Sequence, residues 1–294
     1  MDRFQSIAAF VAVVEGGSFA RAAGKLGQSV SAVSRRVAEL EEHLDARLLN
    51  RTTRRLSLTE AGRAFHERAL QLLADLEEAE QGASAGGATP RGTLRLTAPI
   101  TYGVRVLAPI VAAFAAKHDQ VRVEVDLSDR AVDLVDEGFD LAVRIGEIRS
   151  QFLVARRIGT TTLVCCASPA YLERHGVPHT PDDLARHACL TYEYAATRHQ
   201  WRFVGADGSD KVVRVGGPLH ANNGRMLGAL AVEGAGIVCE PDFILAPDIA
   251  RGALVRILAD WTLPSIAVHA AYPSRRHLSA KVRAFVDFLA GTPR

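Results

Sequence analysis

A chain of 294 residues has room for a small domain and one or two larger ones. Its 35 basic and 33 acidic side chains leave a net charge of +2, which excludes a generally basic nucleic-acid coat, so any such binding must come from a local patch. No apolar run long enough to span a bilayer is read from the sequence, and the opening MDRFQSIAAFVAVVEGG lacks the basic start and cleavage pattern of a signal peptide, so a cytoplasmic location without membrane contact is expected.

In chain order, Phe4, Ile7, Phe10, Val11 and Val14 share one helical face, and Gly16-Gly17 end that helix. Ser18 suits the N-cap of a second helix carrying Phe19, Ala22, Ala23 and Leu26, and Gly27 permits a sharp turn. Ser29 caps a third helix, on which Val30, Val33, Val37, Leu40 and Leu44 form one apolar stripe. Ser31, Ser34, Arg35 and Arg36 lie off that stripe. Arg47, Arg51, Arg54 and Arg55 then follow with no acid from Ala46 through Thr59, in a segment that reads as a hairpin. A helix pair with a tight turn beside a basic wing is the arrangement a major-groove reader needs. Double-stranded operator DNA is therefore the first partner expected. Its candidate contacts are Ser18, Ser29, Ser31, Ser34, Arg35 and Arg36 on the helices, and Arg51, Thr52, Arg54 and Arg55 on the wing.

From Glu60 to about Ala85 the pattern is one long helix. Phe65, Ala69, Leu72 and Leu76 trace a near-heptad seam, with Leu73 beside it, and a Gly82–Pro90 linker follows. A seam this narrow suits pairing with a second helix, and a two-fold dimer matches a palindromic site.

Beyond the linker, strands and helices alternate. Strands are read at Thr93–Ala98, Val121–Leu127, Asp140–Arg144 and Thr162–Ala167, with helices at Val104–Lys117, Ala131–Glu137 and Pro169–His175. Pro181–Ala185 reads as a helical turn, and Trp201–Val204 and Lys211–Val215 as strands paired around Asp207-Gly208. Then come a helix (Gly224–Glu233), a buried strand (Gly236–Cys239), a strand (Ser265–Ala271) and a closing helix (Ser279–Leu289). This alternation implies an α/β module with a mainly parallel sheet, in the order of a two-lobed periplasmic-binding-protein-like (type 2) effector domain. The expected division is a winged helix-turn-helix at 1–59, a dimerisation helix and hinge at 60–90, and an effector domain at 91–294. Within the last, one lobe takes 91–161 and 265–294 and the other 162–264.

Ligands in such folds sit beyond strand C-termini, where helix starts point inward. The candidate cleft residues are Ile100, Thr101 and Tyr102 after the first strand, Ser128 and Arg144 at the ends of the next two, and Asn222, Asn223, Pro241 and Phe243 in the other lobe. They favour a small polar or anionic organic effector. Thr101 and Asn222 can equally serve only as helix caps, and Arg144 only as a partner of Asp133 or Asp140. Enzymatic chemistry finds little support. There is no nucleophile elbow at Ser168-Pro169 and no Gly-rich phosphate loop, and the ten histidines are scattered, with His175 and His179 in a Pro-flanked loop without carboxylate ligands at metal spacing. Neither a metal nor a cofactor is expected, and Cys165, Cys166, Cys189 and Cys239 read as reduced thiols, a redox-sensing pair being the other reading. A carrier of solutes is a further alternative, which the N-terminal reader argues against.

The chain resembles the LysR-type family of bacterial transcription regulators. The resemblance runs through Phe4, Ser18-Phe19, Ala22-Ala23, Ala32-Val33-Ser34-Arg35, Leu40-Glu41, Arg51, Arg54 and Leu58-Thr59-Glu60-Ala61-Gly62. It continues through DLVDEGFDLAVRIGE (Asp133 to Glu147), CASPAYLERHG (from Cys166), ANNG (from Ala221) and YPSRRHLSAKVRAFVDFL (from Tyr272). It implies a homodimer or a tetramer built as a dimer of dimers, with RNA polymerase as a further partner. One departure is Val30-Ser31, where many members carry Gln-Pro or a similar polar pair. With Val30 on the apolar stripe, Ser31 and Ser34 become the expected base readers.

Overall fold

Side-chain caps start the N-terminal helices, and glycines end the first two. In the computed structural model, which describes residues 2–51, 56–83, 89–148, 150, 152–195, 199–273 and 278–292, Asp2 caps α1 (Arg3–Gly16) by accepting from Gln5 N at 3.2 Å. Ser18 caps α2 (Phe19–Leu26) and Ser29 caps α3 (Val30–His43). Gly17 and Gly27, at φ of 62° and 63°, stop α1 and α2 in the left-handed region that favours glycine. Phe10, Val13, Ala22, Val33, Val37, Leu40 and Leu48 make the core of this unit, which comprises Met1–Thr89. The predicted stripe on α3 is shorter than its spacing suggests. Val30 and Leu44 are 48% and 37% exposed, because they stand at the first residue and the C-cap of the helix, beyond the stretch that packs.

Two short antiparallel strands form the wing, β1 (Leu49–Arg51) and β2 (Leu56–Leu58), with Leu49 opposite Leu58. Thr52, Arg54 and Arg55 lie outside the described residues. The Glu41 carboxylate accepts from Leu48 N at 2.8 Å and Leu49 N at 3.0 Å, which ties the wing to α3. The long helix α4 (Glu60–Ala83) follows. The seam proposed on it needs correction. Ala69 is fully buried in this unit's own core and Phe65 packs there against Phe10 at 5.7 Å, with Leu73 beside them. Leu72 stays 47% exposed and Leu76 partly so, outside that core.

The second unit, Pro90–Arg294, is built on a nine-stranded sheet. Its elements are β3 (Gly92–Ala98), α5 (Ile100–Lys117), β4 (Val121–Leu127), β5 (Leu141–Ile145), β6 (Leu153–Ala167) and α6 (Pro169–His175). A 3-10 turn (Pro181–Arg186) leads to β7 (Cys189–Tyr192), β8 (Gln200–Gly205), β9 (Asp210–Arg214), β10 (His220–Ala221) and α7 (Gly224–Val232). Then follow β11 (Ile237–Pro241), α8 (Asp242–Ala250), β12 (Val255–Arg256), β13 (Trp261–Thr262), β14 (Ser265–Pro273) and α9 (Ala280–Gly291). The sheet order is β10-β7-β11-β6-β14-β5-β3-β4, with β12 on β6, while β13-β8-β9 form a separate small sheet.

The expectation of a mainly parallel sheet is only half right. β3 pairs parallel with β4 and β5, and β7 parallel with β10 and β11, but β6 and β14 run antiparallel to all their partners. These two strands carry the chain between the lobes. The helix predicted at Ala131–Glu137 is a turn instead: Asp133 accepts from Val135 N and Asp136 N, and Gly138 at φ 69° reverses the chain. The reading that no segment is long and apolar enough to span a membrane is also corrected. By length and composition Ile100–Lys117 qualifies, but Tyr102, Leu107, Ile110 and Phe114 on it pack into the core of the first lobe.

A buried ion pair closes that lobe. Lys281 Nζ donates to Asp140 Oδ2 at 3.0 Å and to Thr93 O at 2.5 Å, while the same carboxylate oxygen accepts from Arg95 N at 2.9 Å. The two charged side chains are 11% and 9% exposed.

Candidate DNA interface and inter-lobe cleft

The start of α3 presents a mixed polar and apolar surface. Ser29 Oγ accepts from Ala32 N at 3.2 Å and lies 3.0 Å from Ser31 Oγ, which holds the Ser31 hydroxyl beside the cap. Ser34 is half-buried and makes no side-chain hydrogen bond among the described residues. Arg35 is 75% exposed, with only a long contact to Glu39 at 3.8 Å, so its guanidinium is available to phosphate. Arg36 differs: its Nη1 is buried and has no hydrogen-bond partner among the described residues. Ser18 Oγ is occupied by Arg21, accepting from the backbone N at 3.2 Å and from Nε at 3.3 Å. Val30 joins this surface rather than the core.

In the second unit, the C-terminal ends of parallel strands converge from both lobes. Ala98, Leu127 and Ile145 end β3, β4 and β5; Tyr192, Ala221 and Pro241 end β7, β10 and β11. Asp129, just past β4, bridges the lobes. Its Oδ1 accepts from Ile100 N at 3.0 Å and its Oδ2 from Asn223 Nδ2 at 2.6 Å. Asn223 thereby does two jobs, since its Oδ1 also caps α7 by accepting from Met226 N at 3.0 Å. Tyr102 and Phe243 meet edge-on across the same gap, with ring centroids 5.5 Å apart. Thr161 Oγ1 donates to Asp242 Oδ1 at 3.1 Å.

Arg144 pairs with neither Asp133 nor Asp140. Its Nη1 donates to Val143 O at 3.1 Å, and its Nη2 is buried with no acceptor among the described residues. Burial lowers its pKa, with the charge of Asp129 opposing. Glu240 is 5% exposed, and burial, reinforced by Asp129, pushes its carboxyl up to about 8. The Tyr192 phenol is raised by burial first, then by Asp129 and Glu240. Gly224 makes room for the acid, since a Cβ there would stand 2.5 Å from Glu240 Oε2.

Of the other residues predicted for the cleft, Thr101 and Pro241 are buried, Ser128 Oγ accepts from Arg130 N at 3.4 Å in a local turn, and Asn222 is exposed. Residues 4–63 match the family model described as the bacterial regulatory helix-turn-helix protein, lysR family, and residues 87–293 match the LysR substrate binding domain. The chain belongs to the LysR family.

A curated relative from Haemophilus influenzae, named an uncharacterized HTH-type transcriptional regulator, is 39% identical over 96% of this chain and 98% of its own. The structure of CrgA, a LysR-type regulator from Neisseria meningitidis, is 36% identical with TM-score 0.60 and 97% of each chain covered. The full-length Vibrio cholerae virulence activator AphB is 31% identical with TM-score 0.60 and 98% of each chain covered. This LysR protein is thus a transcriptional regulator with a DNA-binding helix-turn-helix and an effector-binding domain.

Asp129, Tyr192 and Glu240 were not picked out from the sequence of this LysR regulator. One signal was present for Glu240: it is the only charge in the strand IVCEP, where a buried acid needs a reason. The folded-state pKa of Glu240 lies above its ordinary value of 4.5, so its stabilising contribution is complete below 4.5 and is lost as pH rises toward 8. Glu240→Gln is therefore expected to melt progressively higher than wild type as pH is raised across that window. Thermal melts that run parallel from acid to alkaline pH would contradict this.

The thiols of this LysR protein are buried in three of four cases. Cys165 and Cys166 point to opposite faces of β6, into separate cores, and Cys239 stands opposite Cys165 on β11. Burial pushes Cys166 and Cys189 up to about 12, and the hydrogen bond with Cys239, together with burial, raises Cys165. Thiols so raised are poor nucleophiles at neutral pH.

Proposed function

We propose that this regulator acts in the cytoplasm as a homodimer or dimer of dimers. A small polar or anionic effector between its lobes tunes the spacing of its paired DNA readers. RNA polymerase is its further partner, and no catalysis is involved. The observation that carries the effector reading is Asp129, bridging the lobes through Asn223 and Ile100 beside an Arg144 donor that no described residue takes. An effector that prefers one lobe closure shifts the populations of oligomer geometries by its differential affinity. Leu72 and Leu76 on α4 supply the apolar surface for pairing.

On DNA, Arg35 and the wing arginines Arg51, Arg54 and Arg55 give salt-dependent affinity, while Ser31, Ser34 and the exposed Val30 give sequence preference. A valine methyl suits contact with the methyl of a thymine. Arg54→Ala is expected to weaken binding about equally across sequences and to reduce the salt slope by about 1. Ser34→Ala and Val30→Ser are expected to change which duplex is preferred. Fluorescence anisotropy against DNA upstream of the regulator's own gene, beside a scrambled duplex at several salt concentrations, measures both. The same loss of preference in all three variants would defeat this division of labour.

A further inference from the structure

Two groups in the inter-lobe cleft carry hydrogen-bonding capacity that the described residues leave unused. Arg144 Nη2 is buried without an acceptor. The Glu240 carboxyl is 5% exposed and makes no hydrogen bond among the described residues. A buried guanidinium N–H without an acceptor is costly, and native structures seldom keep one without a reason. The surrounding acids are already committed. Asp129 spends its oxygens on Ile100 N and Asn223 Nδ2, Asp133 on its own turn, Asp140 on Arg95 N and Lys281, and Asp242 accepts from Thr161. Glu137 is held by Arg130. No described residue supplies an acceptor for Arg144 Nη2, and a bound ligand would.

We propose that the cleft takes a small organic carboxylate, seated on Arg144 Nη2, with the Glu240 carboxyl donating a second hydrogen bond to it. The proposal rests on the reading of this cleft as the effector site. Near neutral pH Glu240 carries its proton, since its carboxyl is pushed up to about 8, so both free groups are donors. A carboxylate satisfies both, and charge-assisted bonds to it are the strong ones. A cation fits poorly: Arg144 repels it, and the Asp129 oxygens are taken. Once Glu240 ionises, it faces Asp129 and the incoming anion with the same charge, and binding is lost.

The test is a thermal-shift and calorimetric titration of the full-length protein at millimolar concentrations of acetate, lactate, benzoate and succinate, beside benzylamine and benzyl alcohol. At least one carboxylate is expected to raise Tm at neutral pH, with neither the amine nor the alcohol doing so. Its affinity is expected to fall about tenfold for each pH unit above the Glu240 value. Arg144→Met abolishes the shift, and Glu240→Gln keeps the binding while flattening the pH dependence, because the amide still donates. If Arg144→Met does not fold, the flattened slope of the near-isosteric Glu240→Gln protein decides alone. Binding of the amine or alcohol, abolished by Arg144→Met, with no carboxylate bound would overturn the carboxylate class and leave the cleft reading standing. No shift with any probe would overturn both. A carboxylate whose binding ignores both substitutions sits elsewhere, and the proposal fails.

Discussion

Lys281→Met is expected to cost the second unit about 3–5 kcal/mol, the usual penalty for removing one partner of a buried ion pair. The reason is the state of Asp140. It is 9% exposed, and without Lys281 its charge keeps, among the described residues, the backbone N–H of Arg95 at 2.9 Å. The loss is carried by three segments at once, because Lys281 also holds Thr93 O, so α9, β3 and the chain entering β5 are pinned by one ammonium. For a unit of this size the Tm should drop by about 10 °C. The double substitution Lys281→Met with Asp140→Asn is expected to recover much of the stability, since no charge is left buried and the amide oxygen still accepts from Arg95. Urea and thermal denaturation read both variants. A loss below about 1 kcal/mol would mean that the pair behaves like an exposed one.

Gly62→Ala should unfold the wing. A Cβ on Gly62 would stand 2.0 Å from Leu48 O, a backbone atom, so no side chain can rotate to relieve it. Nor can the Leu48 peptide retreat easily. Its N–H and that of Leu49 are held by Glu41, and its carbonyl accepts from Thr59 N at 3.0 Å and contacts Thr59 Oγ1 at 3.3 Å. Overpacking of this kind costs about 3 kcal/mol, with more possible when backbone must yield. Operator affinity should fall with stability, because the displaced strand β1 carries Arg51. Gly24→Ala is the control: it lies in α2 with nothing within 4 Å of an added Cβ, so it should leave stability unchanged or raise it. Equal behaviour of the two alanine variants would refute the argument.

Much of the first unit was legible because its signals are local. Serine caps, terminal glycines and a 3.6-residue apolar period are each readable within a few residues, and Ser18, Ser29, Gly17 and Gly27 all stand at helix ends. Val30 misled for the same reason: it keeps the period of the stripe, while it stands at the first residue of α3, outside the stretch that packs. In the second unit β3 was visible from the alternation of Leu94 and Leu96 with polar residues, and β11 as a short apolar run. Three features were hidden. The first half of β6 reads ARRIGTT and is largely exposed, so it lacks the apolar signal of a strand. The helix Asp242–Ala250 contains Pro247, which argues against a helix until its packing in the second lobe is known. The cleft groups Asp129, Tyr192 and Glu240 come from separate strands, and only the sheet order brings them together.

β6 is one unbroken strand of 15 residues, bonded to β14 along its first part and to β11 and β12 along its last. The lobes are therefore joined by a beam, not by a pair of slack cords. Widening the cleft flexes a hydrogen-bonded ladder, and the restoring force grows with each increment of bend. The one soft spot is the register shift between Val268 and His269, opposite Gly159 and Arg157, where a residue is skipped and the ribbon can twist. An effector acting on such a spring works by changing its stiffness and set over small angles. In the oligomer proposed above, the amplification needed to move two DNA readers would then fall to the joints between subunits, since packed interfaces shift between discrete arrangements where the beam only bends.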